Sequence, residues 1–230
     1  VNLLALESSA AVLTVALLTG ERLVERQGAA GANHSDLVLP LIQAVLDEAG
    51  LDRARLDAVA FGAGPGAFTG LRLACAVAQG LAFAHGLPVI GVGSLEALAL
   101  NAGRARVYAC VDARMNEVYC AAYEVSGEEV RTVLQPVVCP PEQAPLPPGS
   151  GWCGGGDGFA AYGEALRRRL GAALAEVGPD IMASAAAVAR LAASRLARGE
   201  GVDAALAAPL YVRDKVALTT AERLARGGKA

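Results

Sequence analysis

The sequence predicts an α/β fold of two related halves, each opening with three antiparallel strands and continuing into helices. Two apolar runs begin the chain, 2–9 and 11–28, and the second breaks at Thr19-Gly20-Glu21; they read as a strand followed by a hairpin. The same order returns after Arg104. A strand–turn–strand pattern spans 106–125 and a third strand follows over 128–138. Between and after these runs lie stretches with helical spacing of apolar residues. The recurrence is one of topology, with no detailed residue repeat. Residues 1–103 are expected to form the first subdomain, and 104–230 a smaller second one ending in a helix and a tail.

In chain order, Asn33, Ser35 and Asp36 offer caps for a first helix that stops at Gly50, with Pro40 expected to bend it or delay its start. A strand over 56–64 runs into glycines. A helix from Thr69 to His85 follows, ended by Gly86 and Pro88, then a strand over 87–93 and a third helix capped by Ser94. In the second half, 139–151 is a proline-rich loop and 152–158 a strand end with glycines. Helices are predicted over 158–170 and 184–199. The stretch "APLYVRDKVA" (208–217) has no helical pattern and is read as an extended docking segment.

Composition narrows the function. The 230 residues carry a formal net charge of −3, which argues against independent tight binding of nucleic acid. Arg167, Arg168 and Arg169 read as a solvated helix face. Hydrophobic residues make up 54% and aromatics 4%, so alanine, leucine and valine supply the core. No apolar run reaches the ~18 residues of a membrane span, and the N-terminus lacks a basic leader pattern. Five cysteines without a C-x-x-C pair point to a reducing cytoplasm.

"GAGPGAFTG" (62–70) is a glycine-rich turn opening a helix. It lacks the Lys-Ser/Thr of a P-loop, so a structural turn competes with anion binding at the helix start. The helix behind it carries more apolar surface than one sheet contact needs. Leu73, Val77, Leu81 and Ala84 form one stripe and Leu71, Ala74, Ala78 and Ala82 another, with Arg72 and Gln79 as its polar strip. The first helix shows the same excess through Leu37, Val38, Leu41, Ile42, Val45 and Leu46. Either other helices of this chain or a partner must cover these faces.

Glu7, Ser8 and Ser9 close the first strand, and Asp112 and Arg114 lie at the turn of the second hairpin. By symmetry they could face each other across a nucleotide cleft, or be an ordinary strand end and turn. His34 reads as a cap-region residue, Ser94 as a helix cap, and Cys153 as a packed thiol.

"LALESS", "GAGPGAFTGLRLACAVAQGLA", "VDARMNEVY" and "APLYVRDKVA", in that order, resemble the TsaB (YeaZ) family over roughly residues 2–217. The resemblance implies an actin-like, ribonuclease-H-like fold of two subdomains. It also implies a non-catalytic partner of the TsaD-type transferase that forms threonylcarbamoyladenosine beside the anticodon in tRNAs reading codons that begin with A. A TsaE-type P-loop ATPase would join that pair, with ATP and a metal ion in the partner subunits and no cofactor or metal held by this chain. Alone the chain would form a homodimer, and tRNA would be met only through the complex, in the cytoplasm and away from membranes. The TsaD ligand pair H-x-x-x-H is absent, since Val38 stands four places after His34. Mapped by motif, the partner surface would comprise His34, Leu37, Val38, Leu41, Gly66, Ala67, Phe68, Thr69, Arg72, Ala74 and Ala78, and Glu7, Ser8, Ser9, Asp112 and Arg114 would mark a degenerate nucleotide cleft. The rival readings are an autonomous ATP-binding kinase or ATPase of the same fold, and a peptidase, which the lack of paired metal ligands or a nucleophile triad disfavours.

Overall fold

The structure is a computed structural model that describes residues 1–179 and 181–213. Asp214 to Ala217 of the expected extended segment, and the tail after them, lie outside the described residues.

The first sheet contains β1 (Asn2–Glu7), β2 (Thr14–Thr19), β3 (Arg22–Gln27), β4 (Ala58–Gly64) and β5 (Val89–Gly93), in the order β3-β2-β1-β4-β5. β1 pairs antiparallel with β2, from Asn2↔Thr19 to Glu7↔Thr14, and parallel with β4. The second sheet contains β6 (Arg106–Arg114), β7 (Glu117–Ser126), β8 (Glu129–Cys139), β9 (Trp152–Gly155) and β10 (Leu174–Val177), in the order β8-β7-β6-β9-β10. Here too the opening strand is antiparallel to its successor and parallel to the fourth. The two sheets are therefore topological copies, as the doubled opening predicts. β10 escaped the sequence reading because LAEV is four residues long, carries no alternation and is nowhere fully buried.

Five helices complete the described chain: α1 (His34–Ala49), α2 (Phe68–His85), α3 (Ser94–Asn101), α4 (Gly158–Leu170) and α5 (Ala185–Ala197). Asn33 caps α1 by accepting from the Ser35 amide, and Gly50 ends it in the left-handed region. The late start suggested by Pro40 does not occur. Its six preceding residues are already helical, and all sixteen residues of α1 form one helix. Ser94 is not a cap either. Gly93 holds that position and Ser94 is the first helical residue, with its hydroxyl directed elsewhere.

β1 lies at the centre of its sheet and is buried on both faces, which explains its unbroken apolar run. Its side chains alternate. Leu4 and Leu6 join the core under α1 and α2, with Val59, Phe61, Ala74 and Ala78. Leu3 and Ala5 face the other way, into a core shared by both sheets with Leu95, Leu98, Val107, Ala109, Val188 and Leu191. α3 and α5 occupy this middle layer. α5 follows the second sheet in sequence yet packs on β1, β2, β4 and β5, while α3 packs on β6, β7 and β8. α4 covers the outer face of the second sheet through Phe159, Leu166 and Leu170, around Tyr108 and Trp152. The halves differ in one crossover. α1 links β3 to β4, whereas the proline-rich stretch 140–151 links β8 to β9 with no more than a 3-10 turn.

The start of α2 is set by a close approach. A Cβ on Gly70 would overlap the carbonyl oxygen of Ser8, and one on Gly66 would meet Ser9. Gly80, on the same helix, has open space around it. Gly70→Ala should lower the unfolding free energy by about 2–3 kcal/mol through overpacking. Gly80→Ala should raise it by about 0.5–1 kcal/mol, because alanine loses less backbone entropy in a helix. Urea unfolding of the two variants checks both signs.

Candidate functional site

The C-terminal ends of β1 and β6 meet a cleft of about 440 Å³ between the two lobes. The first lobe lines it with Ser9 and with Gly66, Ala67 and Phe68 from the glycine-rich turn. The second contributes Asp112, Arg114, Met115 and Asp157, and the segment Leu210–Arg213 closes one side.

Two residues expected in the cleft lie beneath it. Glu7 is fully buried. One carboxylate oxygen accepts from the Ser9 amide at 2.7 Å, and the other accepts from the Ser94 hydroxyl at 3.0 Å. Ser94 in turn accepts from the Gly64 amide at 3.2 Å. The carboxylate occupies the space where a side chain on Gly62 would sit. Burial pushes the Glu7 carboxyl above the usual range, against the opposing pull of its bonds from Ser9, Ser94 and Ser8. Ser8 is also buried, with its hydroxyl 2.8 Å from His34 Nδ1. His34 Nε2 lies 3.3 Å from the Ala11 carbonyl, to which it can only donate. His34 thus clamps the β1–β2 turn.

The acids of the second lobe are held by their own turn. The Asp112 amide donates to Asp157 Oδ1 at 2.9 Å. The Asp112 carboxylate accepts from the Arg114 amide at 2.8 Å and pairs with its guanidinium at 3.0 Å. Arg114, Met115 and Asn116 all have positive φ, which aims the turn back over the cleft. Asp157 follows β9 as the glycine-rich turn follows β4; its place in "GGGDG" was the signal that could have revealed it. Arg213 carries a buried Nε that lacks a partner among the described residues.

At the glycine-rich turn, the Ala67 amide donates to the Ser9 carbonyl at 2.8 Å. A group that could have met an anion is spent inside the chain. Arg72 lies over the Phe68 ring at 3.9 Å and donates to the Tyr211 hydroxyl at 3.2 Å. Among the described residues, no group of three or more His, Cys, Asp and Glu side chains is arranged to hold a metal ion.

The residues expected at a partner surface divide. Val38, Ala74 and Ala78 are 2%, 1% and 0% exposed. They pack under α1 and α2 on the chain's own sheet and present no surface to another protein. Ala74 and Ala78 take that role because α2 needs small side chains to lie close on β4. Leu37 and Leu41 are half-buried, and Ala67, Phe68, Thr69 and Arg72 are exposed. The outward face of α2 instead holds Ala76, Gly80 and Ala84, with Phe83 80% exposed.

Two lobes of duplicated topology, joined by interleaved helices and separated by a cleft at the ends of their opening strands, define the actin-like, ribonuclease-H-like class. The family model for TsaD, tRNA N6-adenosine threonylcarbamoyltransferase, matches residues 26–221. The tRNA threonylcarbamoyladenosine biosynthesis protein TsaB of Escherichia coli is 36% identical over 195 residues, covering 80% of this chain and 82% of that protein. The protein of the same name from Haemophilus influenzae is 35% identical, covering 94% of each. YeaZ from Pseudomonas aeruginosa superposes with a TM-score of 0.84 at 39% identity, over 91% of this chain and 99% of that one. The chain belongs to the TsaD family, in its TsaB (YeaZ) branch.

Glu7 yields a test with a defined sign. Its folded-state pKa is raised above 4.5, so its protonated form favours folding. That contribution is complete below pH 4.5 and is lost as pH rises through the elevated value. Glu7→Gln keeps the shape without the charge, so its stability relative to wild type should improve as pH rises from 4 to 7. Glu7→Ala should cost about 2–4 kcal/mol, through a cavity and stranded donors. Melting curves across that pH range check both; a pH-independent gap between wild type and Glu7→Gln would contradict the first.

Proposed function

We propose that this chain is the non-catalytic partner subunit of a TsaD-type transferase, acting in the cytoplasm in the formation of threonylcarbamoyladenosine in tRNA. The observation that carries the reading is the outward face of α2. Phe83 stands 80% exposed beside Ala76, Gly80 and Ala84. Small residues there would let a helix of another subunit approach closely, and the half-buried Leu37 and Leu41 of α1 and Leu73 and Val77 of α2 would flank it. Covering such a face regains about 25 cal/mol per Å² of apolar surface. The relatives' names support the pathway. The sealed Glu7 supports the non-catalytic role, because the acid ending the first strand is fully buried and bonded to Ser9 and Ser94, and does not line the cleft.

In the same reading a TsaE-type ATPase joins the pair, and ATP and a metal ion belong to those subunits. The α2 face closes a homodimer when the chain is alone, and tRNA is met through the complex. Among the described residues no helix is long and apolar enough to cross a membrane.

The cleft itself favours the rival reading of an autonomous kinase or ATPase, since about 440 Å³ suits a small molecule. Titration calorimetry with Mg-ATP on the single chain separates the two, and binding tighter than about 10 μM would favour the rival.

The role is tested by reconstituting the modification from purified components and omitting this chain. The modified nucleoside, read by mass spectrometry, should fall to background; full modification without the chain would remove the role. Gly80→Glu should abolish the complex with the TsaD-type subunit and leave the melting temperature within a few degrees of wild type, because the site is open.

A further inference from the structure

The segment after α5 travels along the first lobe and then crosses to the second. Val202 pairs with Val89, with both N–H···O bonds at 2.9 Å. The Ala207 carbonyl accepts from the Gln79 side-chain amide at 3.0 Å and from the Cys75 thiol at 3.6 Å. The Leu210 amide donates to the Ala63 carbonyl at 2.7 Å. The Tyr211 ring lies 5.9 Å from that of Phe68, and its hydroxyl accepts from Arg72. All these partners belong to the first lobe.

Arg213 engages the second lobe. Its guanidinium donates to the Ala113 carbonyl at 3.0 Å and to the Glu117 carboxylate at 2.7 Å. It lies 5.8 Å from the Tyr119 ring and 3.2 Å from Met115 Sδ. Its side chain is 13% exposed. A guanidinium this deep is held by its partners, and loss of one partner leaves a charge in a poorly solvated place. The β6–β7 turn it grips is the one with three successive positive φ values.

We propose that residues 207–213 form a strap across the mouth of the cleft, with Arg213 as the latch that fixes the second lobe against the first. The lobes are already joined at the middle layer by α3 and α5, whose contacts can act as a hinge. The strap sets the opening at the other side. Arg72 links it to the outward face of α2, because the same side chain stacks on exposed Phe68 and donates to Tyr211. A subunit seated on that face would press on Phe68 and Arg72 and thereby on the strap. This coupling, unlike the latch, rests on the partner-subunit reading above.

Hydrogen exchange read by mass spectrometry on the full chain tests both parts. Arg213→Ala should speed exchange in the hairpin 112–119 by about tenfold and leave the distal ends of β7 and β8 unchanged. Unchanged exchange in that hairpin would overturn the latch. Should Arg213→Ala fail to fold, Glu117→Gln removes the charged acceptor from the other side; it should speed the same amides by about threefold, and no change there overturns the latch equally. Binding of a TsaD-type subunit should alter hairpin exchange in wild type but not in Arg213→Ala, and an equal change in both would sink the coupling. Gly80→Glu separates the two readings. It should lose the partner yet keep wild-type hairpin exchange, and a partner that still binds it refutes the docking face while leaving the latch to the Arg213 result.

Discussion

The buried carboxylate of Glu7 is the contact on which the architecture of the first lobe turns. It joins the end of β1 to the start of α3 through Ser94, and through Ser94 to the Gly64 amide at the end of β4. It also fixes the β1–β2 turn through the Ser9 amide. That turn in turn seats α2, since the Ser9 carbonyl receives the Ala67 amide and Ser8 rests against Gly70. A polar group this deep is tolerated because each oxygen has a donor. The cleft floor is consequently a closed hydrogen-bonded plate, with the acid on its underside.

Much of the fold was legible in the sequence because the signals were local. Apolar runs and the break at Thr19-Gly20-Glu21 located β1 to β3, Gly50 and Gly86 ended α1 and α2, and the repeated opening disclosed the second lobe. Misreadings arose where tertiary contact decided. Ser94 looks like a cap because serine often is one, and nothing nearby reveals a carboxylate 87 positions earlier. Ala74 and Ala78 were assigned to a surface by motif, and the helical wheel could not correct this, because it orders residues by angle without fixing which angle meets the sheet. That the arc of Ala76 and Gly80 faces outward became known only with β4 beneath the helix. In the cleft, Asp112 and Arg114 were found as a turn pair. Asp157 was missed although its glycine-rich setting marks it, and Arg213 was missed because only long-range pairing brings it there.

The two lobes have diverged in different materials. The first seals its acid and lines its helices with alanine. The second keeps Asp112 at the surface of the cleft but ties it to Arg114, and it replaces one crossover helix with prolines. Duplicated topology has therefore been kept while the groups facing the cleft have been committed to internal bonds.

The exchange of helices between lobes bears on the order in which the molecule can be made. The inner face of the first sheet, with Leu3, Ala5, Ala58, Ala60 and Ile90, is covered by α5, whose residues emerge after the whole second sheet. During synthesis from the N-terminus, that face stays bare until about residue 197 has left the ribosome. Such long-range closure is slow and exposes apolar surface while it is pending. The N-terminal half, cut out at any point before α5, would retain its strands and lack the wall that completes its core.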